Sequence, residues 1–219
     1  MILNLTLIIL FLFNFRESKG LTEDEEDQDV ANKYISKVLD KTANFINEPF
    51  YLNNYNLTAT FNLLPVKIRS VCLFKDGVAT GIKHIERFGN VKIIYNKYDM
   101  LIKSVVAMNE LTINYNVTCS VLNSKINMTF RLLSDSIKSN MTLKLVRNSN
   151  VVSLEDFSLY YFANLRIFIR HPENNLELTK PIRREYMNHP FSFEEIEIYI
   201  KRLLSENVAM TLYPKVWIY

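Results

Sequence analysis

The side chains best suited to catalysis or metal binding are few. Histidine is the usual proton carrier and metal ligand near neutral pH, and the chain has only His84, His171 and His189. His171 and His189 each precede a proline in loop-like sequence, and His84 lies in strand-like sequence beside Lys83 and close to Glu86. A Ser-His-Asp set need not be contiguous, but no Gly-x-Ser-x-Gly elbow is present and nothing points to such a set. The four glycines form no phosphate-cradling loop. Cys72 and Cys119 lack the CxxC spacing and the nearby histidine pair that a metal site needs. The expectation is a protein without catalytic residues, metal or cofactor. What the spacing does offer is modification chemistry. Asn56, Asn116, Asn127 and Asn140 each open an Asn-x-Thr sequon, the acceptor for an N-linked glycan in an exported chain.

Three of these sequons lie in sequence that alternates. Leu111, Ile113, Tyr115, Val117, Cys119 and Val121 are apolar, with polar residues between them. Ile126, Met128, Phe130 and Leu132 repeat the pattern, as do Met141, Leu143 and Leu145. A period of two predicts three strands with one dry and one wet face. One-sided burial predicts an antiparallel meander. In all three segments the sequon Asn and Thr fall in the polar set, so pleat and glycan agree on which face is outside. Upstream, Val66 to Lys75 alternates in the same way. Asp76-Gly77 and Phe88-Gly89-Asn90 read as turns, and Val91 to Lys97 and Met100 to Met108 read as further strands. Both cysteines fall on the apolar phase. They could form one disulfide, or remain two buried thiols on separate strands.

Two amphipathic helices are predicted. Over Val30 to Glu48, Ala31, Ile35, Val38, Thr42 and Ile46 form a stripe widened by Tyr34, Leu39 and Phe45, and Pro49 ends it. Over Phe191 to Asn207, Ile196, Tyr199, Ile200 and Leu203 form the stripe, with Ser192 and Glu195 placed as a capping box. Val151 to Arg170 reads as one or two strands. The fold class is α+β: a long curved antiparallel sheet wrapped around a long N-terminal helix, with a second helix near the C-terminus. Such a roll leaves an apolar space between sheet and helices, suited to lipids and other hydrophobic small molecules.

Leu5 to Phe15 is an apolar run followed by Ser18-Lys19-Gly20, which reads as a signal peptide over residues 1–20 and makes the chain secreted and extracellular. Residues 21–29 are an acidic linker, and 30–219 a single domain. The net charge of +3 is too balanced to imply nucleic acid. The apolar run is short for a span, so stable membrane insertion is not expected. Lys67, Lys75, Lys83, Lys92, Lys97 and Lys103 recur through the early strands and could make a basic patch for a protein partner, although solvated strand faces account for them as well. Oligomeric state has no signature.

Gly81-Ile82-Lys83-His84-Ile85-Glu86-Arg87-Phe88-Gly89 resembles the Gly-Leu-Lys…Arg-x-Gly segment of the group seven dust-mite allergens. Leu111 to Asn116, Asn140 to Leu143 and Phe162 to Leu165 add matches in the same order, and the resemblance covers about Val30 to Asn207. That family is similar to the takeout and juvenile-hormone-binding proteins of arthropods and to one half of bactericidal/permeability-increasing protein. The resemblance implies a tubular lipid-binding (TULIP) fold in a secreted, allergen-like arthropod glycoprotein that binds a lipid-like ligand and catalyses nothing. This chain has no cysteine before Cys72, whereas the hormone-binding relatives carry an N-terminal disulfide. Candidates for the ligand cavity are Tyr34, Val38, Phe45, Tyr115, Met128, Phe130, Met141, Leu143, Ile196 and Ile200, each equally readable as ordinary core. The alternative is a glycosylated interaction module with a solid core and a protein partner.

Overall fold

The computed structural model describes residues 23–63, 66–122, 124–171 and 176–215. The expected leader and the only tryptophan, Trp217, lie outside these residues. In chain order the elements are α1 (Glu23–Phe45), β1 (Phe50–Leu52), β2 (Tyr55–Leu63), β3 (Val66–Thr80), β4 (Ile85–Tyr95), β5 (Asp99–Val121), β6 (Ser124–Val146), β7 (Val152–Ala163), β8 (Arg166–Arg170), α2 (Leu176–Asn188) and α3 (Phe191–Ala209). All pairings in the eight-stranded sheet are antiparallel. The architecture is α+β, as the alternation and the helical stripes predict.

The strands are longer than the sequence pattern suggested. β5 and β6 each run 23 residues and pair along nearly their whole length, from Asp99↔Val146 to Val121↔Ser124. The expected strands Ile126–Leu132 and Asn140–Leu145 are two parts of one strand, and Leu111–Val121 continues the segment Met100–Met108. The reason is a change of phase. On β5 the buried set is Met100, Ile102, Ser104, Val106 and Met108, then Leu111, Ile113 and Tyr115. On β6 it shifts between Ser134 and Ile137. A shifted phase looks like a turn in sequence, yet here two strands shift together, at Glu110 and Asp135.

This waist divides the sheet. Below it β5 and β6 are flanked by β3 and β8, and above it by β4 and β7. Each flank is thus two short strands laid end to end along one long strand. Gly81 makes the joint between β3 and β4. Its φ is 91°, and a Cβ there would overlap the Glu110 carbonyl oxygen, so only glycine fits. Opposite, Asn164 (φ 48°) joins β7 to β8. Asp135 fixes that side, accepting bonds from Asn164 Nδ2 (2.9 Å) and Arg166 Nη2 (2.7 Å). Asp76-Gly77 and Gly89 are not hairpin turns. They are bulges inside β3 and β4, where the register shifts between Lys75 and Val78 and between Phe88 and Lys92.

Three helices, not two, cover the dry face among the described residues. α1 packs on β4 and α3 on β7, and the two helices touch each other, closing the upper half across its opposite flanks. α2 reaches from β2 to β8 and closes the lower half. The residues expected as an acidic linker are helical from Glu23 onward. α2 carries Pro181 and many charges, which disguise it. Its buried residues Leu178, Ile182 and Tyr186 nevertheless recur every four positions, one helical face. The capping box of α3 does not form. Only His189 and Pro190 separate α2 from α3, so Ser192 is turned to the Tyr186 hydroxyl, and Glu195 Oε2 accepts the Asn53 backbone N–H at 3.0 Å.

Candidate ligand-binding interior and outer groove

Nine of the ten cavity candidates share one continuous apolar interior: Tyr34 and Val38 on α1, Tyr115 on β5, Met128, Phe130, Met141 and Leu143 on β6, and Ile196 and Ile200 on α3. Phe45 is not among them and is 58% exposed. The buried stripe of α1 centres on Ile35 and Thr42, and both Tyr34 and Phe45 lie at its margin. At Tyr34 the margin is covered. Its hydroxyl donates to the carbonyl of Thr211 (3.0 Å), and Tyr213 packs edge-on against its ring at 5.1 Å. Among the described residues no such cover reaches Phe45 at the end of the helix.

Rings from three directions meet at the lower end of the interior. Phe74 of β3, Tyr115 of β5, Phe130 of β6, Tyr186 of α2 and Phe191 of α3 lie 4.6 to 6.3 Å apart, mostly edge to face. Sequence reading reached Tyr115 and Phe130 but missed Tyr186, for want of the helix that carries it. Gly77 serves this cluster, because the Tyr115 ring occupies the space a Cβ would take. Tyr186 pairs its hydroxyl with Ser192. Among the described residues the Tyr115 hydroxyl has no hydrogen-bond partner, although the residue is only 2% exposed. Burial pushes its pKa well above the usual phenol value, and the Glu195 carboxylate and Tyr186 add to the shift.

Cys72 and Cys119 are directly opposite in the β3–β5 register, with Cα atoms 4.0 Å apart, and are joined as a disulfide facing the interior. The four sequon asparagines are exposed. Two of these sequons interlock across β5 and β6. Asn116 lies opposite Thr129 and Thr118 opposite Asn127, and the Thr118 hydroxyl bonds to Asn127 Oδ1 at 2.9 Å.

The wet face is not featureless. A groove of about 790 Å³ crosses β5, β6 and β8 below the waist. Its walls are outward side chains, among them Asn114, Asn116, Thr129, Arg131, Phe168 and Arg170, with Arg183 added from α2. Tyr115, Phe130 and Ile169 lie between the outward residues of each strand. Tyr115 and Phe130 are buried and Ile169 half-buried, and all three border the groove from the phase that alternates to the dry side. Sequence reading did not find this groove. Its arginines stand on three separate elements, and the register that aligns Arg131 with Phe168 and Thr129 with Arg170 is a tertiary fact.

The sequence model of the Group 7 allergen family matches residues 30–173, more than half of the chain. The chain belongs to the Group 7 allergen family. The segments that carry the sequence resemblance, Gly81 to Gly89, Leu111 to Asn116, Asn140 to Leu143 and Phe162 to Leu165, all lie inside that span. No curated protein matches the chain. Among solved structures, this Group 7 allergen family member is similar to Epiphyas postvittana Takeout 1, with 10% identity over 83% of this chain and 91% of the other, at a TM-score of 0.49. It is also similar to a lipopolysaccharide binding protein, with 13% identity over 84% of this chain, at a TM-score of 0.48. It spans only 38% of that protein's chain.

Proposed function

We propose that this Group 7 allergen family member is a secreted binding protein for a lipid or other hydrophobic small molecule, held between the curved sheet and the helices. The observation that carries this reading is the Tyr115 hydroxyl, buried and unpartnered among the described residues in a cluster with four other aromatic rings. An unpaired polar group in an apolar interior costs about 1–3 kcal/mol. A molecule that is mostly apolar with one hydrogen-bonding group removes that cost and suits the surroundings. In this proposal the Tyr115 hydroxyl bonds the polar end of the ligand, and Phe130 and Met128 pack beside it. Tyr34, Val38, Met141, Leu143, Ile196 and Ile200 line the apolar remainder. The exposed sequons at Asn56, Asn116, Asn127 and Asn140 and the Cys72–Cys119 bond support export through an oxidising compartment.

The test is organic extraction and mass spectrometry of protein purified from a eukaryotic secretory host, with uptake of a fluorescent fatty-acid probe by the stripped protein. The expected result is an apolar molecule in the extract and saturable probe uptake that weakens in Tyr115→Phe. An empty extract together with no probe uptake would overturn the carrier reading in favour of a solid-cored module that binds another protein.

A further inference from the structure

We propose that the groove on the wet face is a second binding site, independent of the interior, and that it takes the phosphate group of a small ligand. Three arginines line it: Arg131 on β6, Arg170 on β8 and Arg183 on α2. Arg131 and Arg170 lie on the same face, diagonal across the β6–β8 register, which brings their Cβ atoms within about 8 Å. Among the described residues none of the three forms an ion pair. Asp76, the one carboxylate that lines the groove among the described residues, is held instead by Asn116 Nδ2 at 3.1 Å.

The chemistry follows from that arrangement. Guanidinium groups are planar forks that grip an oxyanion through paired N–H donors, and phosphate presents enough oxygens for several such forks at once. Phe168 is 51% exposed in the same groove and gives a flat apolar surface beside the charge. Asn114 and Thr129 add neutral hydrogen-bonding groups. The ligand is therefore a phosphate attached to a body that can lie on an aromatic ring. A lipid headgroup and a soluble organic phosphate both present this chemistry.

Asn116 also lines the groove, so a glycan there would compete for the space. The binding experiments accordingly use Thr118→Ala protein, which lacks that sequon and keeps the Asn116–Asp76 bond. Titration calorimetry at physiological ionic strength measures binding of inorganic phosphate. The expected result is saturable binding that falls about tenfold in Arg131→Gln and in Arg170→Gln. Arg131→Lys should lose less than Arg131→Gln, and Arg69→Gln, an exposed arginine outside the groove, should change nothing. Unchanged thermal melting in each variant shows that the fold is intact. Sedimentation with vesicles of phosphatidic acid, against vesicles of phosphatidylcholine alone, then separates the sources. Binding to phosphatidic acid that Arg131→Gln abolishes assigns a lipid headgroup, and phosphate binding without vesicle binding assigns a soluble ligand. Absence of both overturns the proposal. So does equal weakening by Arg69→Gln, which would mark diffuse positive charge and not a site.

Discussion

Replacing Tyr115 by Phe should stabilise the ligand-free protein, against the usual direction of core substitutions. The ring is kept, so its edge-to-face contacts with Phe74, Phe130 and Phe191 and its seat over Gly77 persist. Only the hydroxyl is removed, and that hydroxyl is buried without a partner. Such a group costs about 1–3 kcal/mol. Taking the low end, a gain of about 1 kcal/mol raises the melting temperature of a domain this size by roughly 2–4 °C. The assay is thermal unfolding of delipidated wild-type and variant protein, followed by circular dichroism. Loaded with ligand, the order should reverse, because the variant loses the bond that the proposed ligand makes. A delipidated variant that melts several degrees lower than wild type would mean that the hydroxyl has a partner within the protein, and the unpaired-hydroxyl account would fall.

Four further outcomes are expected. Gly81→Val should destabilise severely, because it combines a φ of 91° with overlap on the Glu110 carbonyl, and urea unfolding should show a loss above about 2 kcal/mol. Replacing Cys72 and Cys119 together by Ser should lower stability by about 4 kcal/mol, the loop-entropy value for a sequence separation of 47, again by urea midpoint. Phe130→Asp should abolish secretion through an unpaired buried charge, while Asn127→Gln should lose only a glycan and its mobility shift on a gel. Tyr34, Tyr115, Tyr186 and Tyr213 all have raised pKa values through burial. Unfolded tyrosines ionise near pH 10 and these do not, so their stabilisation is complete below pH 10 and declines as pH rises further, which urea midpoints in alkaline buffers would show.

The fold was legible where a single physical rule acted alone. Alternation at Leu111 to Val121 identified a dry face, and the sequons identified a wet one. The stripes of α1 and α3 were plain. The rule failed where two effects met. At Glu110 and Asp135 the phase changes in paired strands, and a local pattern cannot distinguish that from a turn. Asp76-Gly77 has the composition of a hairpin turn, but its glycine makes room for a ring from the neighbouring strand. The Leu178, Ile182, Tyr186 spacing was present, but Pro181 masked it. For the site, Tyr115 and Phe130 were reachable because burial follows alternation. The unpartnered hydroxyl and the three arginines of the groove were not, since each depends on what other elements bring alongside.

The waist bears on how the chain reaches this shape. β5 and β6 are neighbours in sequence, with Val121 already opposite Ser124, so their pairing forms at low entropic cost. β3 and β4 dock on its β5 edge and β7 and β8 on its β6 edge, below or above Glu110 and Asp135, and β1 and β2 add to β3. The ribbon is therefore the natural first structure, and the two halves are its later additions, each able to fray without the other. Amide exchange should then be slowest along β5 and β6 across the whole length of the molecule, with β1, β2 and β8 opening as one group and β4 and β7 as another.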